Sequence, residues 1–164
     1  MSEILHAWAV APAAVGACCL AADRARVRPP EVAASVLMLV AMLDAAVFQV
    51  VAPVYWTILL LAAAVGLAIW RRPRQRRAPR VPALMTLHTT LGMVVMAALQ
   101  VAMGAHAAST GHSHGVALVP FLLAVAVGYA ALSVVAMTRM PARLDRTQIA
   151  AMAASVGLMA LAAV

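Results

Sequence analysis

A chain of 164 residues that is 66% hydrophobic and 10% charged carries more apolar surface than one small soluble domain can hide, since such domains run at roughly 45–50% and about 25%. Its solvent is lipid. The formal net charge of +7 comes from arginine alone. The arginines stand in three short connections between apolar runs, which points to membrane topology rather than to nucleic acid.

A spanning helix needs about 20 mostly apolar residues. Backbone in lipid must satisfy its own hydrogen bonds, so the runs read as helices. The sequence predicts six of them, making one all-α multi-pass transmembrane domain over 1–164. The first covers residues 5–22 and stops at Asp23. Its leading "MSEILHA" has no positive charge, which argues against a cleaved signal. Cys18 and Cys19 lie in this run; as helix neighbours they point about 100° apart and are not placed to bond each other. The second helix covers 31–51, after Pro29-Pro30 and before Pro53. The third covers 54–70. The fourth covers 81–103, with Pro82 in its first turn. The fifth covers 116–137 and the sixth 148–164.

Arg24, Arg26 and Arg28 follow the first helix. Arg71, Arg72, Arg74, Arg76, Arg77 and Arg80 follow the third. Arg139, Arg143 and Arg146 follow the fifth. The other connections hold no Lys or Arg. By the positive-inside rule the clusters are cytoplasmic and both termini lie outside. The expected location is the cytoplasmic membrane of a bacterium.

Polar chemistry concentrates in the fourth helix, around "MTLHTTLGMVVM". At about 100° per residue, His88, Thr89, Gly92, Met96, Gln100 and Met103 fall within about 60° of Met85. Met93 borders that arc, and the far side is mostly Leu, Val and Ala. Such a stripe should face protein or a cavity. In the sixth helix Gln148, Met152, Ser155 and Met159 share a face, and in the second Met38, Met42 and Gln49 do. Asp44 lies about 120° away from Met38. A carboxylate inside a membrane helix is a candidate proton or polar site, and a pairing of Asp44 with His88 would suit proton-coupled transport.

The connection "GAHAASTGHSHG" brings His106, His112 and His114 to the outer side. His-x-His grips Cu(II) or Zn(II), and thioethers favour Cu(I). The expected metal ligands are therefore His88, Met85, Met96, Met103, His106, His112, His114, Met38, Met42, Met152 and Met159, with copper as the metal. The same residues have a plainer reading. Methionine fills gaps in apolar cores, His88 can hydrogen-bond a neighbouring helix, and a Gly/Ser/His loop can simply be solvated.

"VLMLVAML", "LHTTLGMVVMAA", the loop "GHSHG" and the terminal "AAMAASVGLMAL" occur in this order. In this the chain resembles a family of small multi-pass membrane proteins from actinobacteria, catalogued as a domain of unknown function. The resemblance spans most of the chain. It implies a compact helical membrane domain with recurrent Met and His positions, here Met38, Met42, His88, Met93, Met96, His112, His114, Met152 and Met159. It implies no activity.

The leading expectation is a copper-handling integral membrane protein, with metal caught by the outer His loop and held by Met and His in the bundle. The alternative is a non-catalytic structural or assembly subunit of a larger membrane complex, built on Ala/Gly-rich packing surfaces. No Ser/His/Asp arrangement, phosphate loop or carboxylate pair stands in the sequence, which argues against an enzyme. Haem ligation lacks a second histidine at the depth of His88.

Overall fold

A computed structural model describes residues 2–22, 29–71, 80–108 and 118–162. Six helices form, and the described residues contain no strand: α1 (Ser2–Ala22), α2 (Pro29–Leu43), α3 (Pro53–Arg71), α4 (Arg80–Ala108), α5 (Leu118–Arg139) and α6 (Arg143–Ala162). Pro29 and Pro53 open α2 and α3, where a missing N–H costs nothing because the first helical N–H groups have no partner anyway.

Among the described residues four helical stretches are long and apolar enough to cross a membrane, not six. They are Pro29–Phe48, Pro53–Trp70, Leu84–Ala102 and Pro120–Arg139. Over the described residues the two outer helices fall short of that measure. The described apolar stretch of α1 is Ala7–Ala22. α6 opens on Arg143, Asp145 and Arg146 and carries Gln148 and Ser155 further along. Length is not the obstacle, since the 20 residues of α6 span about 30 Å at 1.5 Å per residue.

α1 packs along α6 and against α2. α4 packs against α3 and α5, and also touches α2 and α6; α5 closes on α6. α4 is thus the central helix. Between Leu84 and Ala102 its exposed residues are Leu87, Val94 and Val101, a stripe repeating every seven residues, or two turns. The sequence suggested a polar face backed by a broad apolar one. In the bundle both are buried, because neighbours cover α4 on nearly every side.

The outer surface is apolar. Trp8, Val40, Phe48, Ile58, Ile69, Phe121 and Val127 are all exposed, as suits contact with lipid. Methionine sorts the opposite way. Met38, Met42, Met85, Met93, Met96, Met140, Met152 and Met159 are all buried. Lipid tails are as apolar as leucine, so the hydrophobic effect does not drive this sorting inside a bilayer. Packing or chemistry does.

The second membrane segment does not run as one α-helix to residue 51. α2 ends at Leu43, a π-helical turn covers Asp44–Phe48, and Gln49 adopts a left-handed φ of 49°. The Gln49 N–H donates to the Asp44 carbonyl at 2.6 Å, closing the wider ring that defines such a turn. Gln49 therefore leaves the Met38–Met42 face and is exposed.

Candidate functional site in the bundle interior

Three helices supply the methionines of the main core. Met38 and Met42 come from α2, Met93 and Met96 from α4, and Met152 and Met159 from α6. All six belong to one buried cluster, and none is more than 3% exposed. Met93, expected only at the edge of the α4 stripe, is as fully buried as Met96. Met85 is buried too, but in a second cluster with Ala136, Met140 and Ile149. The expected column of Met85, His88 and Met96 is thus divided between two parts of the core.

His88 is 1% exposed and sits against α5. The Ser133 hydroxyl donates to the Tyr129 carbonyl at 2.7 Å, which leaves its oxygen free to accept. The His88 Nε2 lies 2.8 Å from that oxygen, so Nε2 carries the proton and donates. Nδ1 then accepts from the Tyr129 hydroxyl at 3.4 Å. The two rings stack, with centroids 4.8 Å apart and planes 28° apart. Both ring nitrogens are therefore engaged, and a metal would have to displace one partner. The tautomer follows from the network, as hydrogen positions generally must.

Gly92 lets α5 and α6 approach α4 here. A Cβ on Gly92 would stand 2.7 Å from the Tyr129 Oη and 3.3 Å from the Met152 Cε. Thr89, one residue beyond His88, turns its hydroxyl back to the Met85 carbonyl at 3.1 Å, the local bond that lets a hydroxyl sit inside an apolar bundle.

Asp44 is a clamp on the α2–α3 turn. Its Oδ1 accepts from the Val50 N–H and its Oδ2 from the Val51 N–H, each at 3.2 Å. The Trp56 indole N–H donates to Oδ2 at 2.7 Å. One carboxylate thus satisfies two backbone donors past the left-handed residue and ties the first turn of α3 to the end of α2. Among the described residues the hydrogen bonds of Asp44 and those of His88 form separate networks.

Several buried polar residues escaped the sequence reading. Tyr129 and Ser133 stand four apart on α5, a spacing that puts both on one helix face, and this was the available signal. Glu31 is fully buried at the start of α2 and its Oε1 accepts from the Thr86 hydroxyl at 2.6 Å. Thr90 in turn donates to the Thr86 carbonyl at 2.8 Å. Nothing local in the sequence marks Glu31 as buried. Gln100 and Gln148, both set on polar helix faces by the sequence, are each 1% exposed, and among the described residues their amide nitrogens have no partner.

The outer ligands lie beyond this view. His112 and His114 fall outside the described residues. Met103 and His106 lie on α4, but their side chains fall outside them too. Among the described residues no three His, Cys, Asp or Glu side chains gather as a metal-holding group. The soft donors buried in the main core are thioethers. Cys18 and Cys19 are free thiols.

No protein-family model matches the chain, and no curated protein or solved structure matches it either.

Proposed function

We propose that this chain is a copper-handling integral membrane protein whose interior takes Cu(I). The burial of six methionines from α2, α4 and α6 in one core cluster carries this reading. Thioethers select Cu(I) over harder cations, and their burial beneath an apolar outer surface is unexplained by hydrophobicity alone. His106, His112 and His114 serve as the external capture site, with Met103 at the mouth. The bundle receives the ion at Met38, Met42, Met96, Met152 and Met159. His88 and Met85 line the inner end, where His88 exchanges a hydrogen-bond partner if it takes part. In this arrangement all six helices are inserted, the arginine clusters are cytoplasmic and both termini are outside, in a bacterial cytoplasmic membrane. The resemblance to the actinobacterial family fits this layout.

Anaerobic Cu(I) titration of the purified protein against a chromophoric chelator tests the proposal. Leu for Met conserves volume well enough to keep the fold. A variant with Met38, Met42, Met96 and Met159 all changed to Leu is expected to lose Cu(I) affinity by about a hundredfold or more, equivalent to roughly 2.7 kcal/mol. Equal binding by this variant and the wild type overturns the thioether site.

A second reading, a non-catalytic assembly subunit, has its own support. His88 and Asp44 are both engaged in internal hydrogen bonds, as in a scaffold. Co-purification of a stoichiometric membrane complex without copper favours that reading over the first.

A further inference from the structure

An open groove of about 340 Å³ runs between α2 and α3, within the size range of ligand sites. Pro30 and Trp70 mark one end, and Ala33, Ala34, Ala63 and Gly66 supply its small-residue lining. A Cβ on Gly66 would meet nothing within 4 Å, so the lining there is open space rather than a packed seam. The lining on α2 extends from Pro30 to Leu37, a rise of about 10 Å at 1.5 Å per residue. That covers about a third of a bilayer core about 30 Å thick, starting from one face.

The end marked by Pro30 and Trp70 is the basic end. Arg71 is the last residue of α3, directly after Trp70, and Arg28 is bonded to Pro29. Glu31, the nearby acid, is fully buried and accepts from Thr86, so its carboxylate does not face the groove. An apolar slot confined to one leaflet and opening at a basic helix end matches one occupant in shape and charge. We infer that the groove between α2 and α3 binds an anionic phospholipid, with an acyl chain along Ala33, Ala34, Ala63 and Gly66 and the phosphate at the basic end, where α2 opens and α3 closes. A partner helix would need a seam along the full length of α2 and α3, which this groove does not offer. Basic residues at the membrane surface supply the preference for an anionic headgroup.

The test uses the full chain in detergent, re-lipidated with phosphatidylglycerol or phosphatidylcholine of identical acyl chains, with retained lipid counted by native mass spectrometry. Phosphatidylglycerol is expected to be retained at about tenfold lower concentration than phosphatidylcholine. Gly66→Leu and Ala33→Leu fill the groove and abolish retention of both lipids. Gly128→Leu, at an equally open glycine on α5, leaves retention unchanged and controls for folding. Arg28→Gln with Arg71→Gln, which leaves the groove intact, brings phosphatidylglycerol down to the phosphatidylcholine level. Equal retention of the two lipids by the wild type overturns the inference. So does full retention in both groove-filling variants, or a dimer that those variants dissolve, which would assign the groove to a second copy.

Discussion

Asp44 shows how a residue that looks like a transport carboxylate can be spent on architecture. Two backbone N–H groups and an indole N–H converge on it, just where the chain leaves helical geometry at Gln49. Asp44→Ala strands all three donors. Val50 and Val51 are exposed and recover part of the loss by rebonding, so the unfolding midpoint is expected to fall, but by less than the loss of three charged hydrogen bonds would give. Asp44→Asn keeps one acceptor oxygen and is expected to cost about half as much. Thermal unfolding in detergent measures both, and an unchanged midpoint in Asp44→Ala would end the clamp reading. A similar economy holds at Gly92, whose missing Cβ makes room for the Tyr129 hydroxyl. Gly92→Ala is expected to cost about 1–3 kcal/mol by overpacking. Most of that cost should vanish in a Tyr129→Phe background, because the clashing oxygen is then gone. A double-mutant cycle reads this coupling directly, and additive effects would show that Tyr129 is not the obstruction.

At the scale of the element, α4 reveals which faces of a membrane helix can be altered. Leu99 is fully buried, whereas Val101 is 49% exposed. In a bilayer the transfer part of a truncation nearly cancels, since lipid and core are alike. The cavity part survives only where neighbours cannot close in. Leu99→Ala is therefore expected to cost about 2 kcal/mol, and Val101→Ala close to nothing, as judged by unfolding midpoints. Equal losses would mean that α4 has lipid on neither side or on both. The helices and their order were legible in the sequence because apolar runs punctuated by Pro and Arg leave little choice. The buried α6 face of Gln148, Met152, Ser155 and Met159 was legible too, since an unbroken helix keeps its wheel. What failed was the wheel of α2 beyond Leu43, because a π-helical turn shifts the angular register and no residue type announces it. His88 could be flagged from sequence but its partners could not. Tyr129 and Ser133 lie more than forty positions away, and only the packing of α5 on α4 brings them to the imidazole.

For the whole molecule the question is how α1 and α6 could sit in the membrane when neither, over its described residues, is long and apolar enough to cross it alone. The packing supplies an answer. α1 lies along α6 with Gly16 at the contact, where an added Cβ would stand 3.5 Å from the Ala151 Cβ and 3.7 Å from the Gln148 carbonyl oxygen. Gln148 and Ser155 face the interior and are buried, and Ser155 returns its hydroxyl to the Ala151 carbonyl at 3.0 Å. Lipid therefore meets little of the polarity that lowers the apolar character of α6. On the proposed six-span arrangement the pair would insert as a unit, each helix covering what the other cannot expose. A reporter enzyme active only outside the cytoplasm, fused to the C-terminus, is expected to be active on the full chain. Removal of residues 1–22 is expected to silence it, because α6 without α1 lacks the cover for its interior face and stays on the cytoplasmic side. Gly16→Leu, a smaller perturbation, wedges the two helices apart at a contact already at van der Waals distance and should reduce the signal in part. A silent reporter on the intact chain would overturn the six-span arrangement with both termini outside. An active one on the truncated chain would show that α6 crosses by itself, against the composition of its first turns.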